Sequence, residues 1–586
     1  MGKAGTRFGR NVPIEHTHPD NDWAILKPNP RTVSRELLTR HEFQPVEGLN
    51  LLAASWLQFM VRDWMSHGKG EMDDSAWKLK REEGDDWPEE KVLVPRTPRN
   101  SEGPPPTYAN QETHWWDASQ IYGSTREFQN RVRTEEDGKL HVGLGSMSSA
   151  GKTEKDPIDE PGFWIGLAML HTLFAMEHNA ICNRLRAEYP SWSDDDLFEH
   201  ARLINAALLA KIHVTEWSTA ILGHPTTKLA LRTNWWGLAT ERIHKLLGRI
   251  SESEVWSDIS GSKTNHFDVP YAITEEFVAV YRMHPLIPDD IDFRSASSEP
   301  PFEERPVPFT EVVNQKAVDL MQEIRMRDLF YSFGISHPGQ IRLHNFPRSL
   351  QRFERPGGGC MDLAATDIMR TRELGVPRYN EFRRLLRLPA PKTFEELTDN
   401  AAWARELRRV YNDDIESVDL MIGMYAEPFP KDFGFSETAF RIFILMASQR
   451  LNSDRFFTTD YNPRVSTPRP ASIGSPTTTS RPSCSDISPA SSRRSAASIT
   501  PSSPGRRRED PKQAHKDERL GRTHERRNRE MQIADGVYSM GNEKGGWVRA
   551  FLLDDGTDLT LIDTLFETDA RLVLDQIGCT NKTVAA

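Results

Sequence analysis

The stretch FVAVYRMHPLIPDDI, Phe277 to Ile291, carries Tyr281 and His284 three residues apart, at the end of an apolar run and just before two prolines. On a helix, positions i and i+3 project from one face about a turn apart. The spacing therefore predicts two polar side chains together at the mouth of a buried helix. Alone, the pair reads better as two amphipathic side chains at an ordinary helix end. Its surroundings decide between the two.

Apolar residues at helical spacing recur in LNLLAASWLQFMVRDWM (Leu49–Met65) and GLAMLHTLFAMEHNAICNRLRAEY (Gly166–Tyr189). LFEHARLINAALLAKIHVTEWSTAIL (Leu197–Leu222) and SETAFRIFILMASQRL (Ser436–Leu451) show the same pattern. SDDD (Ser193–Asp196) ahead of the third run supplies a helix cap and complements the helix dipole. Strand-like alternation is scarce, so residues 1–462 read as one mainly α domain. Residues 463–530 are rich in Ser, Thr, Pro and Arg with little to bury, and are expected to be a disordered linker. The linker's charged run mixes both signs, which suits a solvated segment better than a nucleic-acid patch. Residues 531–586 read as a short β-rich stub with strands around DDGTD. The stub resembles the opening strands of a metallo-β-lactamase fold, but no HxHxDH run follows Asp563, so it is expected to be truncated and to bind no metal in that way.

With 586 residues the chain exceeds one ordinary core, so a large domain with attachments is expected. A net charge of -11 argues against nucleic acid as a partner. No apolar run approaches the ~20 residues of a membrane span, and no apolar leader opens the chain. MGKAGT fits the myristoylation pattern through Gly2 and Thr6, a pattern short enough to arise by chance. Cys182, Cys360, Cys484 and Cys579 form no paired spacing. A reducing, intracellular compartment is favoured, though no feature fixes the location.

Histidine is a common protein ligand of haem iron, and a tyrosine beside it could lose an electron to an oxidised haem. In QETHWWDASQIYGS (Gln111–Ser124), oxygens of Thr113, Asp117 and Ser119, with the Trp115 carbonyl, alternate along an extended loop. That pattern suits one hard cation, or else an Asx/Ser-rich turn. DLAATDIMRTRELGVPRYNEFRR (Asp362–Arg384) predicts a helix bearing Arg370 and Arg372 with a Gly-x-Pro stop, or a plain charged helix.

QFMVRDW, THWWDASQIYG, LHTLFAMEHNAIC, VYRMHPLIPD, DLAATDIMRTRELGVPRYNEFRR and SETAFRIFILMASQRLNSDRFFTTDYN follow one another in this chain. In that order they resemble the animal haem peroxidase superfamily, and within it the fatty-acid α-dioxygenases, relatives of prostaglandin synthase. The resemblance covers about Gly5 to Asn462. It implies a haem-peroxidase-like helical domain with His284 as proximal ligand of haem b and Tyr281 as the radical that takes hydrogen from the substrate. It also implies a calcium site of Asp63, Thr113, Trp115, Asp117 and Ser119. His213 and Ser218 would line the carboxylate end of the substrate channel, with serine where the family has threonine. Arg450 would pair with the carboxylate, with Arg455 as the nearby alternative. The implied partners are a fatty acid and O2, or hydrogen peroxide, with peripheral membrane contact left open.

The chemistry of that set is positional control. A guanidinium that holds the carboxylate decides which carbon lies beside the Tyr281 oxygen, and an apolar tunnel suffices for the rest. O2 adding to the carbon radical gives a 2-hydroperoxy fatty acid. The chain departs from the resemblance at one place: relatives read Gln-x-x-x-His-Asp, whereas Gln58 and Asp63 here flank Arg62. A guanidinium donates hydrogen bonds but cannot act as a base. His67, five residues on, is expected to lie round the helix from Arg62 and to be a poor substitute. The alternatives are a peroxidase acting on small substrates and a haem-binding protein with impaired turnover.

Overall fold

The computed structural model describes residues 2–461, apart from 20, 22, 102–104, 143–161, 239–253, 258, 298–299 and 355–358. It also describes β-strands between 531 and 585. The expected linker, 463–530, lies outside the described residues.

Helices carry the first region. The main ones here are α1 (Leu52–Trp64), α2 (Ile165–Glu188), α3 (Asp194–Ile212) and α4 (Pro225–Trp236). They are followed by α5 (Glu275–Val280), α6 (Leu363–Glu373), α7 (Tyr379–Leu385) and α8 (Glu437–Ser453). α3 opens with a capping box in which Ser193 and Asp196 satisfy one another's end groups. It runs on into a π-helical turn, His213–Trp217, and a last turn, Ser218–Ile221. The single helix expected over Leu197–Leu222 is thus three pieces. α6 and α7 are separated by Gly375, whose φ of 65° lies in the left-handed region that glycine enters without strain.

α1 is the central rod. Trp56, Phe59, Met60, Asp63 and Trp64 are buried, as are most of its other residues, so it is apolar on nearly every side. α2 packs against it closely: a Cβ on Gly166 would stand 2.4 Å from Ser55 Oγ, so only glycine permits this approach. One large hydrophobic core joins α1 and α2 to α5 and α8. Among the described residues before 462 the strands are three two-stranded antiparallel hairpins, such as Trp77–Lys80 with Lys91–Val94. No described helix is long and apolar enough to cross a membrane. After 530, Met531–Ala534, Val537–Gly541, Arg549–Asp554 and Leu559–Ile562 form an antiparallel meander, with Val584–Ala585 parallel to the last. Two of these strands flank DDGTD, as expected.

The opening stretch is not one helix. α5 ends at Val280, and the Tyr281 N–H to Phe277 carbonyl bond, 3.2 Å, is its last. His284–Leu286 forms a separate 3-10 turn. Pro285 has no N–H to bond the Tyr281 carbonyl, so the helical ladder stops there. Tyr281 and His284 therefore do not share a helix face. The tyrosine is buried and the histidine side chain is 32% exposed.

Candidate active site

Trp64, the last residue of α1, is the common neighbour of three polar side chains. Its ring lies 4.3 Å from the Arg450 guanidinium carbon, 5.1 Å from the His213 ring and 5.8 Å from the Tyr281 ring. Trp116 closes the other side of Arg450 at 4.5 Å. Arg450 is fully buried near the end of α8, and Nη2 donates to the His114 carbonyl at 3.3 Å. Its Nε and Nη1 have no partner among the described residues. The same holds for His213 Nε2 and Tyr281 Oη. Four buried polar atoms without partners around one indole are unusual, since an unsatisfied buried donor costs about 1–3 kcal/mol and a charged one more.

The protonation of each group follows from its surroundings. The Trp56 indole N–H donates to His213 Nδ1 at 3.2 Å, which assigns the ring proton to Nε2. Burial, with the Arg450 charge second, holds His213 well below the usual histidine range, so it is a neutral donor. Burial likewise pushes the Tyr281 phenol up, so it keeps its proton. Phe277 at 4.4 Å and Phe443 at 5.9 Å complete an apolar setting for the phenol. Ser218 is buried at the start of the turn after the π-helical segment. Arg455 is 68% exposed and bound to Asp460 at 2.7 Å, so Arg450 is the arginine of this pocket.

On the neighbouring side of α1, Asp63 Oδ1 accepts from the Ser119 N–H at 2.6 Å and from its hydroxyl at 2.9 Å. Thr113 Oγ1 donates to Asp117 Oδ1 at 2.8 Å. Burial, and then the Asp117 charge, drives Asp63 well above the carboxylate range; burial also raises Asp117. Asp63 is buried, whereas Asp117 is partly exposed with Arg202 at 4.0 Å; a bound cation would stabilise the two acids together. The loop is not extended as expected. Ala118 has a φ of 58° and Ser119 begins a short helix, Ser119–Tyr122, so the oxygens are gathered by a curl rather than by alternation. Trp115 lies in this loop with its ring stacked on Tyr271 at 4.4 Å. Among the described residues no three His, Cys, Asp or Glu are placed to hold one metal ion, so neutral oxygens must complete any coordination here.

Gln58 is held by two bonds. Its Oε1 accepts from the Trp164 indole at 2.7 Å, and its Nε2 donates to the Gly162 carbonyl at 3.1 Å. Arg62, one turn along, stands over the Phe163 ring at 6.0 Å. α1 stops at Trp64, so the angular argument about His67 does not apply. His67 fails as a substitute because it is bound to Glu275 at 2.8 Å and stacked on Phe8 at 4.3 Å. Burial, with the Arg62 charge second, lowers His171 to about 3, which makes it a poor proton acceptor too.

Residues 1–472 match the animal haem peroxidase family model. The chain belongs to that family. It is 37% identical over 479 residues to Alpha-dioxygenase 1 of Capsicum annuum, covering 78% of this chain and 72% of the relative. It is 36% identical over 481 residues to Alpha-dioxygenase PIOX of Oryza sativa subsp. japonica, covering 79% and 76%. The crystal structure of fatty acid alpha-dioxygenase from Arabidopsis thaliana superposes with a TM-score of 0.73 at 33% identity, over 80% of this chain and 75% of that one. A variant of Oryza sativa fatty acid alpha-dioxygenase, crystallised with palmitic acid, gives 0.72 at 34%, over 80% and 78%.

A member of the animal haem peroxidase family needs an axial imidazole, and His284 fits that need. Buried Met283, Pro285 and Leu286 surround it, and Phe346 lies 5.7 Å from its ring, yet the imidazole itself is partly open. Its Nδ1 faces Asp367 Oδ2 at 2.8 Å, so Nε2 is the nitrogen that could take a metal. Asp367 was missed in the sequence, because nothing in DLAATDIMR marks one acid among the helix's charges. A cavity of about 320 Å³ between Arg305 and Glu323 lies at the surface and contains none of these groups. Trp56, Trp64 and Trp116 were also missed: their apolar spacing signalled core, and only the fold shows which polar groups they enclose.

Proposed function

We propose that this chain is a haem-dependent fatty-acid α-dioxygenase, oxidising the carbon next to the carboxylate of a long-chain fatty acid to a 2-hydroperoxide. The observation that carries the reading is the set of partnerless buried donors on Arg450 and His213 beside the Tyr281 hydroxyl. A carboxylate satisfies that set: the guanidinium supplies charge and two N–H bonds, and the neutral His213 Nε2–H supplies another. Ser218, with its hydroxyl, is assigned to the same end. With the head group anchored there, its α-carbon is the carbon nearest the phenol, and the acyl tail lies along apolar side chains.

His284 would hold haem, whose oxidised form would supply the oxidising equivalent and take up the electron and proton that leave Tyr281. The phenoxyl then takes one hydrogen atom from the α-carbon, which leaves a carbon radical that combines with O2. The peroxyl product regains a hydrogen atom from Tyr281, so the net change is one fatty acid plus one O2 to one 2-hydroperoxy acid. Phe277 and Phe443 keep water from the phenol during these steps. Gln58 and Arg62 are assigned to the peroxide-binding side of the site, where Arg62 would donate hydrogen bonds to a peroxide but could not take its proton. Asp63, Thr113, Asp117, Ser119 and the Trp115 carbonyl are assigned to calcium, which would offset the two confronting carboxylates.

Arg62 favours a second reading, a haem protein that turns over poorly, because a guanidinium takes no proton from peroxide. Mass spectrometry of the product formed from palmitic acid under ¹⁸O2 separates the readings. The proposed activity gives a 2-hydroperoxide with both labelled atoms on the α-carbon. Label at other positions, or no lipid product from haem-replete protein, refutes it.

A further inference from the structure

Tyr281 caps α5, a helix of six residues, too short to be stable without its neighbours. The seat of that helix is set at its other end, where the segment Gly9 to Asn11 crosses it. The Gly9 N–H donates to the Ile273 carbonyl at 2.8 Å, and the Glu275 N–H donates to the Gly9 carbonyl at 3.1 Å. Glu276, fully buried in the first turn of α5, accepts from Arg10 Nε at 2.8 Å and from the Asn11 N–H at 2.7 Å. Thr274, which caps α5 by accepting from the Phe277 N–H, donates its hydroxyl to Asn11 Oδ1.

The same segment holds two further helices. Arg10 Nη1 donates to the Leu374 carbonyl and Nη2 to the Gly375 carbonyl, both at 2.8 Å, at the C-terminal end of α6. Asn11 Nδ2 reaches Met446 Sδ at 3.3 Å on α8, one turn before Arg450. α5 leads into Tyr281, α6 carries the Asp367 that stands beside His284, and α8 carries Arg450. Three residues from the start of the chain thus join the three helices that present the site.

We propose that Arg10, acting through Glu276, is a positioning residue for Tyr281: it seats α5 against α6 and α8, and so sets the distance from the phenol to a head group held by Arg450. The inference rests on the reading of Tyr281 as the group that takes hydrogen and of Arg450 as the anchor. A guanidinium bonded through three nitrogens fixes direction as well as distance, which a flexible ammonium does not. Misplacement of a reacting group by about 1 Å costs on the order of 10²-fold in rate. Arg10 acts on the placement of the phenol and not on the anchor, so its loss slows the chemical step and spares binding.

The test uses the full chain loaded with haemin and compares the parent with Arg10→Gln, Arg10→Lys, Glu276→Gln and the Arg10→Gln, Glu276→Gln double variant. Arg378→Gln is the control, because the Arg378–Asp419 pair is as buried as the Arg10–Glu276 pair but does not hold α5. The readouts are kcat for oxygen uptake with palmitic acid, the dissociation constant for palmitate by calorimetry, and the hyperfine pattern of the tyrosyl signal in electron paramagnetic resonance, which reports the twist of the phenol ring. Arg10→Gln is expected to lower kcat about 10–100-fold, to leave the dissociation constant within about twofold and to alter the hyperfine pattern, with Arg10→Lys in between. The double variant is expected to lose no more than Arg10→Gln alone, since the two side chains act as one joint. A merely structural role lowers the melting temperature and leaves kcat and the signal unchanged, the result expected of Arg378→Gln. If Arg10→Gln does not fold, Arg10→Lys decides by the same readouts. Parent kcat and parent signal in the folded variants overturn the proposal, as does a loss of palmitate affinity as large as the loss in kcat. A parent chain with a full Soret band and no uptake, or with uptake that survives Tyr281→Phe, overturns the reading of Tyr281 itself, and the proposal with it.

Discussion

Arg450 stacks between two indoles and bonds the His114 carbonyl, with the Asp63 and Asp454 carboxylates near enough to feel its charge. Removing one member of a buried charge pair costs about 2–5 kcal/mol. Arg450→Gln should therefore raise the dissociation constant for palmitate about 30-fold or more, measured by calorimetry, whereas Arg455→Gln should leave it within about twofold because Arg455 is paired at the surface. Arg62 predicts the reverse kind of effect. Restoring a base by Arg62→His should speed peroxide-driven oxidation of Tyr281 by up to ~10²–10⁴-fold, followed as the tyrosyl signal in electron paramagnetic resonance. No gain on that substitution would contradict the role given to Arg62. Asp454, beside the pocket, gives a pH signature. Burial raises it from 3.8 to about 7. Across that window the folded chain holds a proton that the unfolded chain has released, so stability falls as pH rises, by at most ~1.4 kcal/mol per pH unit. In urea titrations at pH 5 and pH 8, Asp454→Asn should flatten that fall; an unchanged slope would show that this acid is not its source.

At the scale of the element, the curled loop from Thr113 to Ser119 docks on α1 through Asp63, which brings the partly exposed Asp117 towards the buried Asp63. A cation that binds only the folded state at 100 times its dissociation constant adds about 2.7 kcal/mol of stability. Calcium should accordingly raise the melting temperature of chelator-treated protein, and Asp63→Asn should abolish the rise; a calcium response that survives the substitution places the ion elsewhere. Long periodic helices were legible in the sequence because burying one face demands that spacing: α1, α2 and α8 lie within a few residues of expectation. The short irregular segments were not. Pro285 ends the helix after Tyr281, Ala118 turns left-handed, and α3 breaks into a π-helical turn at His213. At each, local backbone chemistry overrides a periodicity that sequence spacing alone extends too far. These three breaks aim the functional side chains.

Across the whole molecule, the grouping of the site residues was legible through the family resemblance and not through spacing. Arg450, His213 and Tyr281 stand far apart in the chain, and their meeting depends on α1 presenting Trp64 to α5, α8 and the π-helical turn together. Burial separates Arg450, within α8, from Arg455, in the turn just beyond it, and spacing alone does not supply that distinction. The central claim is that this assembly steers an oxidation to the carbon beside a carboxylate through Tyr281. Oxygen consumption by the haemin-loaded chain with palmitic acid tests it most directly. The account predicts uptake of one O2 per fatty acid, abolished by Tyr281→Phe with the Soret band intact. Uptake undiminished in Tyr281→Phe, or none from a parent chain with a full Soret band, would contradict it.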